Sequence, residues 1–162
     1  MRRRRAISPS GTPDAEPPYV SSPGHAEGKA AGVRILVVED DQAVRTLICA
    51  MLSQLGYEIL EAGDGEDGLR IWEKHRDGIA LVITDVVMPR MDGRDLARRI
   101  QEIHPGVLVI FMSGYSEAPI IEDIECMGAG FLPKPFTVVM LAATVRGALG
   151  KMPPGPPDGV NV

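Results

Sequence analysis

Six polar side chains stand where short apolar segments of this sequence end, and their types suit metal and phosphoryl chemistry. They are Glu39, Asp40 and Asp41 in "LVVEDDQ", Asp85 in "ITDVVMPRMDG", Ser113 in "FMSGY" and Lys134 in "FLPKPF". Converging carboxylates repel one another unless a proton or a cation neutralises them. Oxygen ligands without Cys or His are those that Mg²⁺ prefers, with Mn²⁺ as a substitute. The acidic residues therefore predict a divalent-cation site, provided that the fold brings them together.

The hydroxyl and the lysine have a place in the same chemistry. Mg²⁺ keeps several waters and typically joins one or two carboxylates to a phosphate. The oxygens of a phosphoryl group near Asp85 would be neutralised by the cation, Lys134 and Ser113 together. Asp85 is the candidate nucleophile, because carboxylates form aspartyl phosphates. Asp41, in contrast, precedes a helical pattern, and we assign its side chain to the helix N-cap.

Apolar β-rich segments alternate along the chain with amphipathic segments. The strands are predicted at residues 33–38, 57–61, 79–84, 106–111 and 130–132, and the helices near 42–55, 65–76, 93–103, 116–127 and 136–149. The first helix has one apolar face, formed by Val44, Leu47, Ile48, Met51, Leu52 and Leu55. Gly56 ends it. Five such units predict an α/β fold, a parallel sheet with helices on both faces. Ligands of these sheets bind beyond the carboxyl ends of the strands, where the polar residues stand.

The two ends of the 162-residue chain differ from its middle. Residues 1–32 hold Arg2–Arg5 and many Pro, Gly and Ser, and residues 150–162 read "GKMPPGPPDGVNV". We expect two disordered tails around one domain at 33–149. Of 17 Lys/Arg and 22 Asp/Glu, residues 1–32 hold five and three and residues 150–162 one of each, so the domain keeps a net charge of −7. An acidic domain argues against direct nucleic-acid binding.

Membrane and secretory segments are also not expected. No apolar run approaches the ~20 residues of a membrane helix, and no apolar segment follows Arg2–Arg5 as in a signal peptide. Cys49 and Cys126 both fall in apolar-patterned segments and are interpreted as buried free thiols. The sequence thus indicates a cytoplasmic protein with no membrane contact.

The segments "ILVVEDD", "ITDVVMPRMDG", "FMSGY" and "FLPKPF", in this order and spacing, resemble the receiver domain of two-component response regulators. The closest resemblance is to receivers that stand alone or form the C-terminus of hybrid histidine kinases, and it covers residues 33–149. It implies a flavodoxin-like (βα)5 doubly wound parallel sheet with strand order 2-1-3-4-5. It also implies a phosphorelay switch, not an enzyme acting on other substrates, that catalyses its own aspartyl phosphorylation and dephosphorylation. The phosphoryl donor would be a histidine kinase or a histidine phosphotransfer protein.

The resemblance assigns a role to each matching residue. Asp85 becomes the phosphoacceptor, assisted by Lys134 and Ser113. The metal ligands become Glu39, Asp40, Asp85 and the main-chain carbonyl of Val87, with Asp40 in direct contact and Glu39 acting mostly through water. Ser113 and Phe131 become the switch pair, and the Lys134–Pro135 bond is expected to be cis.

Phosphorylation is then expected to shift a surface formed by the fourth predicted helix, the fifth strand and the fifth predicted helix. Residues 150–162 are too few for an output domain, so we expect either that the downstream effector is another protein or that this chain shuttles phosphoryl groups between proteins. The chain would be a monomer or a phosphorylation-dependent dimer.

Three further residues, Gly68, Val87 and Tyr115, carry expectations of their own. Gly68 stands where a helix former is usual, at a cost of ~1 kcal/mol against Ala. Val87 and Tyr115 occupy positions that flank the phosphoryl group in the family, where an apolar and a bulky side chain position an attacking water poorly. We therefore predict slow self-dephosphorylation.

Three other functions remain as alternatives. A dehalogenase-type phosphatase also forms an aspartyl phosphate, but it needs a second Asp two residues after the nucleophile, where this chain has Val87. A receiver-like module that is never phosphorylated, or a purely structural domain, would not use the chemical groups described above.

His25, His75 and His104 form no kinase-type phosphoacceptor motif and are interpreted as solvated surface residues.

Overall fold

A five-stranded sheet flanked by helices forms the centre of the chain in the computed structural model, which describes residues 32–114, 124 and 127–150. The strands are β1 (Arg34–Val38), β2 (Glu58–Ala62), β3 (Ile79–Asp85), β4 (Leu108–Ser113) and β5 (Gly130–Pro133). The helices are α1 (Gln42–Gln54), α2 (Gly65–His75), α3 (Gly93–Ile103) and α4 (Val138–Leu149), with a 3₁₀ turn at Arg76–Gly78. These bounds lie within two residues of those predicted.

The strands are parallel and run in the order β2-β1-β3-β4-β5, as the resemblance implies. Val38, at the end of β1, pairs with Ala62 on one side and Thr84 on the other. Ser113, at the end of β4, pairs with Pro133. The carboxyl ends of the strands are therefore nearly level, and the residues that follow them share one edge of the sheet.

Both faces of the sheet are buried, which explains why the central strands are apolar at odd and even positions alike. On one face, Ile35 and Val37 pack with α1 and α4 through residues such as Ile48 and Leu141. On the other face, Leu36, Val38, Val82 and Phe111 pack with α2 and α3 through Trp72, Leu96 and Ile100. The two cores hold β1 and β3 firmly, so the loops that leave them begin from fixed points.

Helix α1 buries only part of the apolar face that its sequence shows. Ile48 and Leu52 are fully buried, but Leu47 is 53% exposed. Successive residues are about 100° apart around a helix axis, so Leu47 lies far from the line of contact that Ile48 defines. A helix lying on a flat sheet buries only the residues close to that line, so the buried stripe of α1 is narrower than its apolar face.

Gly68 has a packing reason that the sequence alone does not reveal. A Cβ at this position would lie 3.0 and 3.2 Å from the two γ-carbons of Val38 and 3.3 Å from Leu96 Cδ2. Glycine therefore lets α2 approach β1 and α3 closely. The lost helix propensity is offset by closer packing between buried elements.

Some predictions fall outside the described residues. These are the helix near 116–127 except for Ile124 and Met127, Tyr115, Cys126, His25 and nearly all of both predicted tails. Within the described part of the chain, no helix is both long and apolar enough to span a membrane.

Cys49, expected to be buried, and His75, expected to be solvated, are both partly covered. Cys49 is half-buried, with its Sγ 3.9 Å from Glu61 Oε2, and burial raises the pKa of its thiol to about 11. His75 is also half-buried, whereas His104 is exposed, with its ring edge-on to Trp72.

Candidate metal and phosphoryl site

Three carboxylates meet at the carboxyl edge of the sheet. Glu39 and Asp40 follow β1, and Asp85 ends β3, the neighbouring strand. One carboxylate oxygen from each lies within 4.8 Å of the others. Glu39 is 1% exposed, whereas Asp40 is exposed and Asp85 half-buried. The sequence placed these three acids on one edge, and the structure brings them together.

Lys134 bridges two of these carboxylates. Its Nζ donates a hydrogen bond to Glu39 Oε2 at 2.8 Å and another to Asp85 Oδ2 at 2.8 Å. The Lys134 backbone N–H donates to the Ser113 carbonyl at 2.7 Å, which ties the end of β5 to the end of β4. The Lys134–Pro135 peptide bond is cis. The main chain of Lys134 is thus fixed to the end of β4, and its ammonium group contacts the acidic residues.

Burial, hydrogen bonds and neighbouring charges together raise the pKa values of two groups in the cluster, Glu39 and Lys134. Burial raises the pKa of Glu39; the hydrogen bond from Lys134 opposes this shift, and the charge of Asp85 adds to it. Burial alone would lower the pKa of Lys134, but its hydrogen bonds to Asp85 and Glu39 outweigh that effect and raise it. Lys134 therefore stays charged and neutralises part of the site.

The cluster suits a hard divalent cation. Glu39, Asp40 and Asp85 bring three carboxylates to one ammonium group, so net negative charge remains after Lys134 is counted. All the protein donors are oxygens, the donor type preferred by Mg²⁺ and Mn²⁺. One of the carboxylates is almost completely buried, where an uncompensated charge is costly. The residues present therefore fit a bound cation at this position.

The loop after β1 is shaped by capping and by an arginine. The Asp41 side chain accepts hydrogen bonds from the N–H groups of Ala43 at 2.8 Å and Val44 at 3.1 Å, as an N-cap does. Arg45 Nη1 donates to the Glu39 carbonyl at 2.6 Å. Asp41 thus caps α1, as predicted, whereas Glu39 and Asp40 belong to the acidic cluster.

Hydrogen bonds and close packing fix the backbone around Asp85. The Gly93 N–H donates to the Val86 carbonyl at 2.9 Å, and Thr84 Oγ1 donates to the Asp85 carbonyl at 2.9 Å. A Cβ at Gly93 would lie only 2.0 Å from the Asp85 carbonyl oxygen, so no other residue fits there without movement. The start of α3 therefore presses against the backbone of Asp85. The Val87 side chain, two residues beyond Asp85, is 58% exposed.

The two candidate switch residues lie on neighbouring strands. Ser113 is the last residue of β4 and is 1% exposed; its hydroxyl donates to the Gly114 carbonyl at 3.2 Å. Phe131 pairs with Phe111 across β4 and β5 and packs, partly buried, against the core. Ser113 thus stands one residue beyond Met112, the residue that pairs with Asp85.

Sequence reasoning missed a charged pair at this edge. Asp64, in the stretch "AGDGEDG" that connects β2 to α2, was not among the candidate residues. It caps α2 by accepting a hydrogen bond from the Asp67 N–H at 2.9 Å and also pairs with Arg90. The spacing of Asp64 before a helix could have revealed the cap. Nothing in "MPRMDG" indicates that Arg90 has a φ of +69° and reaches α2.

The fold and the site together define a receiver, and the comparisons with known proteins agree. The chain matches the response regulator receiver domain over residues 35–146. It therefore belongs to the response regulator receiver family, whose members are the signalling domains of two-component systems.

Particular relatives are full-length regulators or kinases of which this chain resembles one part. The chain is 41% identical over 118 residues to the sensor kinase CckA of Brucella abortus, covering 72% of this chain and 12% of that protein. It is 37% identical to the transcriptional regulator NtrC of Azospirillum brasilense, covering 74% of this chain and 25% of NtrC. The chain thus spans a quarter or less of the length of these two relatives.

Solved structures show the same fold. The receiver domain of the hybrid histidine kinase CckA superposes with a TM-score of 0.61 at 40% identity, over 72% of this chain and 98% of that one. A receiver domain protein from Clostridium thermocellum gives a TM-score of 0.70 at 32% identity, over 73% and 94% of the two chains.

Proposed function

We propose that this chain is a phosphoacceptor receiver in which Asp85 takes a phosphoryl group from a phosphohistidine, in a Mg²⁺-dependent reaction. The observation that carries the proposal is the position of Lys134 Nζ, 2.8 Å from both Glu39 and Asp85, beside carboxylates that could hold a cation. The similarity to the CckA receiver supports a histidine kinase or a histidine phosphotransfer protein as donor.

The chemical step follows from the nucleophile and its surroundings. An Asp85 carboxylate oxygen attacks phosphorus, an O–P bond forms, and the P–N bond to the donor histidine breaks with its electron pair leaving on the imidazole nitrogen. Lys134 keeps a positive charge beside the acceptor oxygen and pairs with the negative phosphoryl oxygens. Ser113 offers a hydroxyl donor from the end of β4. Bound Mg²⁺, held by Glu39, Asp40, Asp85 and the Val87 carbonyl, would neutralise phosphoryl charge.

The same residues give the switch. A phosphoryl group on Asp85 attracts the Ser113 hydroxyl, and movement of Ser113 frees space into which Phe131 can turn. The surface around β5 and α4 would then exchange between two states of the domain. We propose that this surface binds a downstream effector protein, with the chain monomeric or dimerising on phosphorylation. Histidine kinases draw their phosphoryl group from ATP, which favours the cytoplasm as the location.

Phosphorylation by a small donor tests the function. The protein is incubated with acetyl phosphate, with and without Mg²⁺, and its intact mass is measured. Wild type should gain the mass of one phosphoryl group only with Mg²⁺, and Asp85→Ala should gain none. Asp95→Ala, which removes an exposed carboxylate from α3, serves as the matched control and should react like wild type. Equal labelling of Asp85→Ala, or no labelling and no Mg²⁺ binding by wild type, would contradict the proposal and favour an unphosphorylated binding module.

A further inference from the structure

An ion pair at the carboxyl edge of the sheet joins loops from two strands that are not neighbours. Asp64 follows β2 and Arg90 follows β3, and β1 lies between these strands in the sheet. Arg90 Nη2 pairs with Asp64 Oδ2, while Asp64 Oδ1 accepts the α2 capping hydrogen bond. The Asp64 side chain is only 12% exposed, so Arg90 pairs with an almost buried carboxylate whose position is also fixed by its capping hydrogen bond to α2.

Arg90 is also the centre of a strained turn. Its φ is +69°, the one positive φ of a non-glycine residue in the described part of the chain. The Met91 N–H donates to the Pro89 carbonyl at 2.9 Å, which closes a γ-turn around Arg90. Turns of this hand are rare and strained, and such strain persists only where the surroundings enforce it. The ion pair with Asp64 is one such restraint.

A close backbone contact is the second restraint. A Cβ at Gly65 would lie 2.5 Å from the Met91 carbonyl oxygen, so the first turn of α2 touches the γ-turn directly. At the other end of the loop, the Gly93 N–H holds the Val86 carbonyl. The segment between Asp85 and Gly93 is thus fixed at its base by α3 and at its tip by α2.

We propose that Asp64 and Arg90 are positioning residues for the metal site, in that their ion pair holds the γ-turn on α2 and so fixes the Val87 carbonyl that would bind Mg²⁺. This inference rests on the proposed function. Neither residue is in the acidic cluster itself; both act through the backbone of the loop. Fixed outer partners of metal ligands typically contribute about tenfold or more to metal affinity.

Two pairs of charge-matched variants test the role. Arg90→Gln and Asp64→Asn each break the ion pair, and Asn at 64 keeps an oxygen for the α2 cap. Their controls are Arg98→Gln and Asp95→Asn, which break the Asp95–Arg98 pair, an exposed i,i+3 pair within α3. Mg²⁺ affinity is measured by titration of the unphosphorylated protein. We expect about tenfold weaker binding for each test variant and less than about twofold change for each control.

The sign of the effect separates positioning from simple electrostatics. Loss of the Arg90 charge should tighten Mg²⁺ binding if only long-range charge matters, and loss of the Asp64 charge should weaken it. Positioning predicts that both variants weaken binding. It also predicts that the double variant Asp64→Asn/Arg90→Gln is no weaker than either single one, because the pair acts as a unit.

A second measurement needs no metal. Amide hydrogen exchange of residues 87–92 in Mg²⁺-free protein should be faster in both test variants than in wild type and unchanged in the controls. Arg90→Lys keeps the charge and should recover most of the affinity and the protection. A far-UV spectrum and a urea unfolding curve for each variant establish that the domain remains folded.

The outcomes are distinguishable. Wild type that binds Mg²⁺ and is phosphorylated, with test variants of unchanged affinity and exchange, would overturn the positioning role and leave the proposed function standing. Tighter binding by Arg90→Gln would also overturn it in favour of long-range charge. Wild type that binds no Mg²⁺ would overturn the proposed function, and the positioning role with it.

Discussion

The family resemblance places Val87 and Tyr115, the latter outside the described residues, next to the proposed phosphoryl group, where they would affect how long an aspartyl phosphate lasts. Val87 is 58% exposed two residues beyond Asp85, and it offers no group that could orient a water molecule. Replacement by Asn, together with Tyr115→Glu, would supply hydrogen-bonding groups at both flanking positions. We expect the phosphoryl group on Asp85 to decay at least roughly tenfold faster in this double variant, because a positioned water attacks more readily.

The decay is followed by intact mass or by loss of radiolabel after the donor is removed. Val139→Asn makes the same substitution at an exposed valine of α4 outside the acidic cluster, and its decay should match wild type. If the double variant decays no faster than wild type, the slow-decay hypothesis is wrong.

Residue types were enough to predict which side chains gather in the candidate site, but not which residues hold the surrounding loops in place. Glu39, Asp40, Asp85 and Lys134 carry charges that follow predicted strands, so a parallel fold is enough to bring them together. The Arg90–Asp64 pair depends instead on a positive φ at an arginine, a residue type that does not favour that conformation. Such a contact arises from tertiary packing of α2 on the loop, and no local pattern in the sequence encodes it.

At the scale of single elements, two glycines inside helices should respond to alanine in opposite ways. A Cβ added at Gly147 in α4 would meet no atom within 4 Å apart from its chain neighbours and its own helix backbone. A Cβ added at Gly68 in α2 would lie 3.0 Å from Cγ2 of Val38, which is fully buried. Alanine at 147 gains helix propensity, and we expect it to raise the free energy of unfolding by about 0.5–1 kcal/mol. Alanine at 68 gains the same helix propensity, but its Cβ overpacks the stiff β-branched side chain of Val38. We therefore expect it to lower the free energy of unfolding by about 1–2 kcal/mol.

Urea unfolding of both variants checks the prediction, with Gly147→Ala as the internal control for propensity. A stabilised Gly68→Ala protein would mean that α2 can move away from β1 without loss. A less stable Gly147→Ala protein would mean that α4 is not packed as described.

The elements themselves were predictable because their patterns are strong. Alternating apolar strands and amphipathic helices with caps at Asp41 and Gly56 place the boundaries within two residues. The burial of both sheet faces follows from the apolar runs. What the pattern does not show is how closely elements approach, since that depends on single contacts such as Gly68 against Val38 or Gly93 against the Asp85 carbonyl. Exposure of Leu47 is a second feature that the pattern does not show, because the spacing of apolar residues does not determine how many of them a helix buries.

At the scale of the whole molecule, the proposed divalent cation would neutralise the same two acids that Lys134 contacts, Glu39 and Asp85. Glu39 is 1% exposed, and its carboxylate forms an ion pair with Lys134. In Lys134→Met, Glu39 and Asp85 lose that partner, and removal of one member of a buried pair is strongly destabilising. Because Lys134 is 25% exposed, we expect a smaller loss than for full burial, about 2 kcal/mol in Mg²⁺-free protein.

Mg²⁺ should then stabilise the variant more than the wild type, because the cation no longer shares the carboxylates with an ammonium group. A ligand at about ten times its dissociation constant adds about 1.4 kcal/mol to the free energy of unfolding. Thermal unfolding with and without Mg²⁺ measures both effects, and Lys74→Met, at an exposed lysine of α2, is the matched control. Loss of stability in Lys134→Met with no larger gain from Mg²⁺ than in wild type would show that the cation and Lys134 do not share these carboxylates. That result would place the metal elsewhere and remove the main support for Asp85 as a metal-assisted phosphoacceptor.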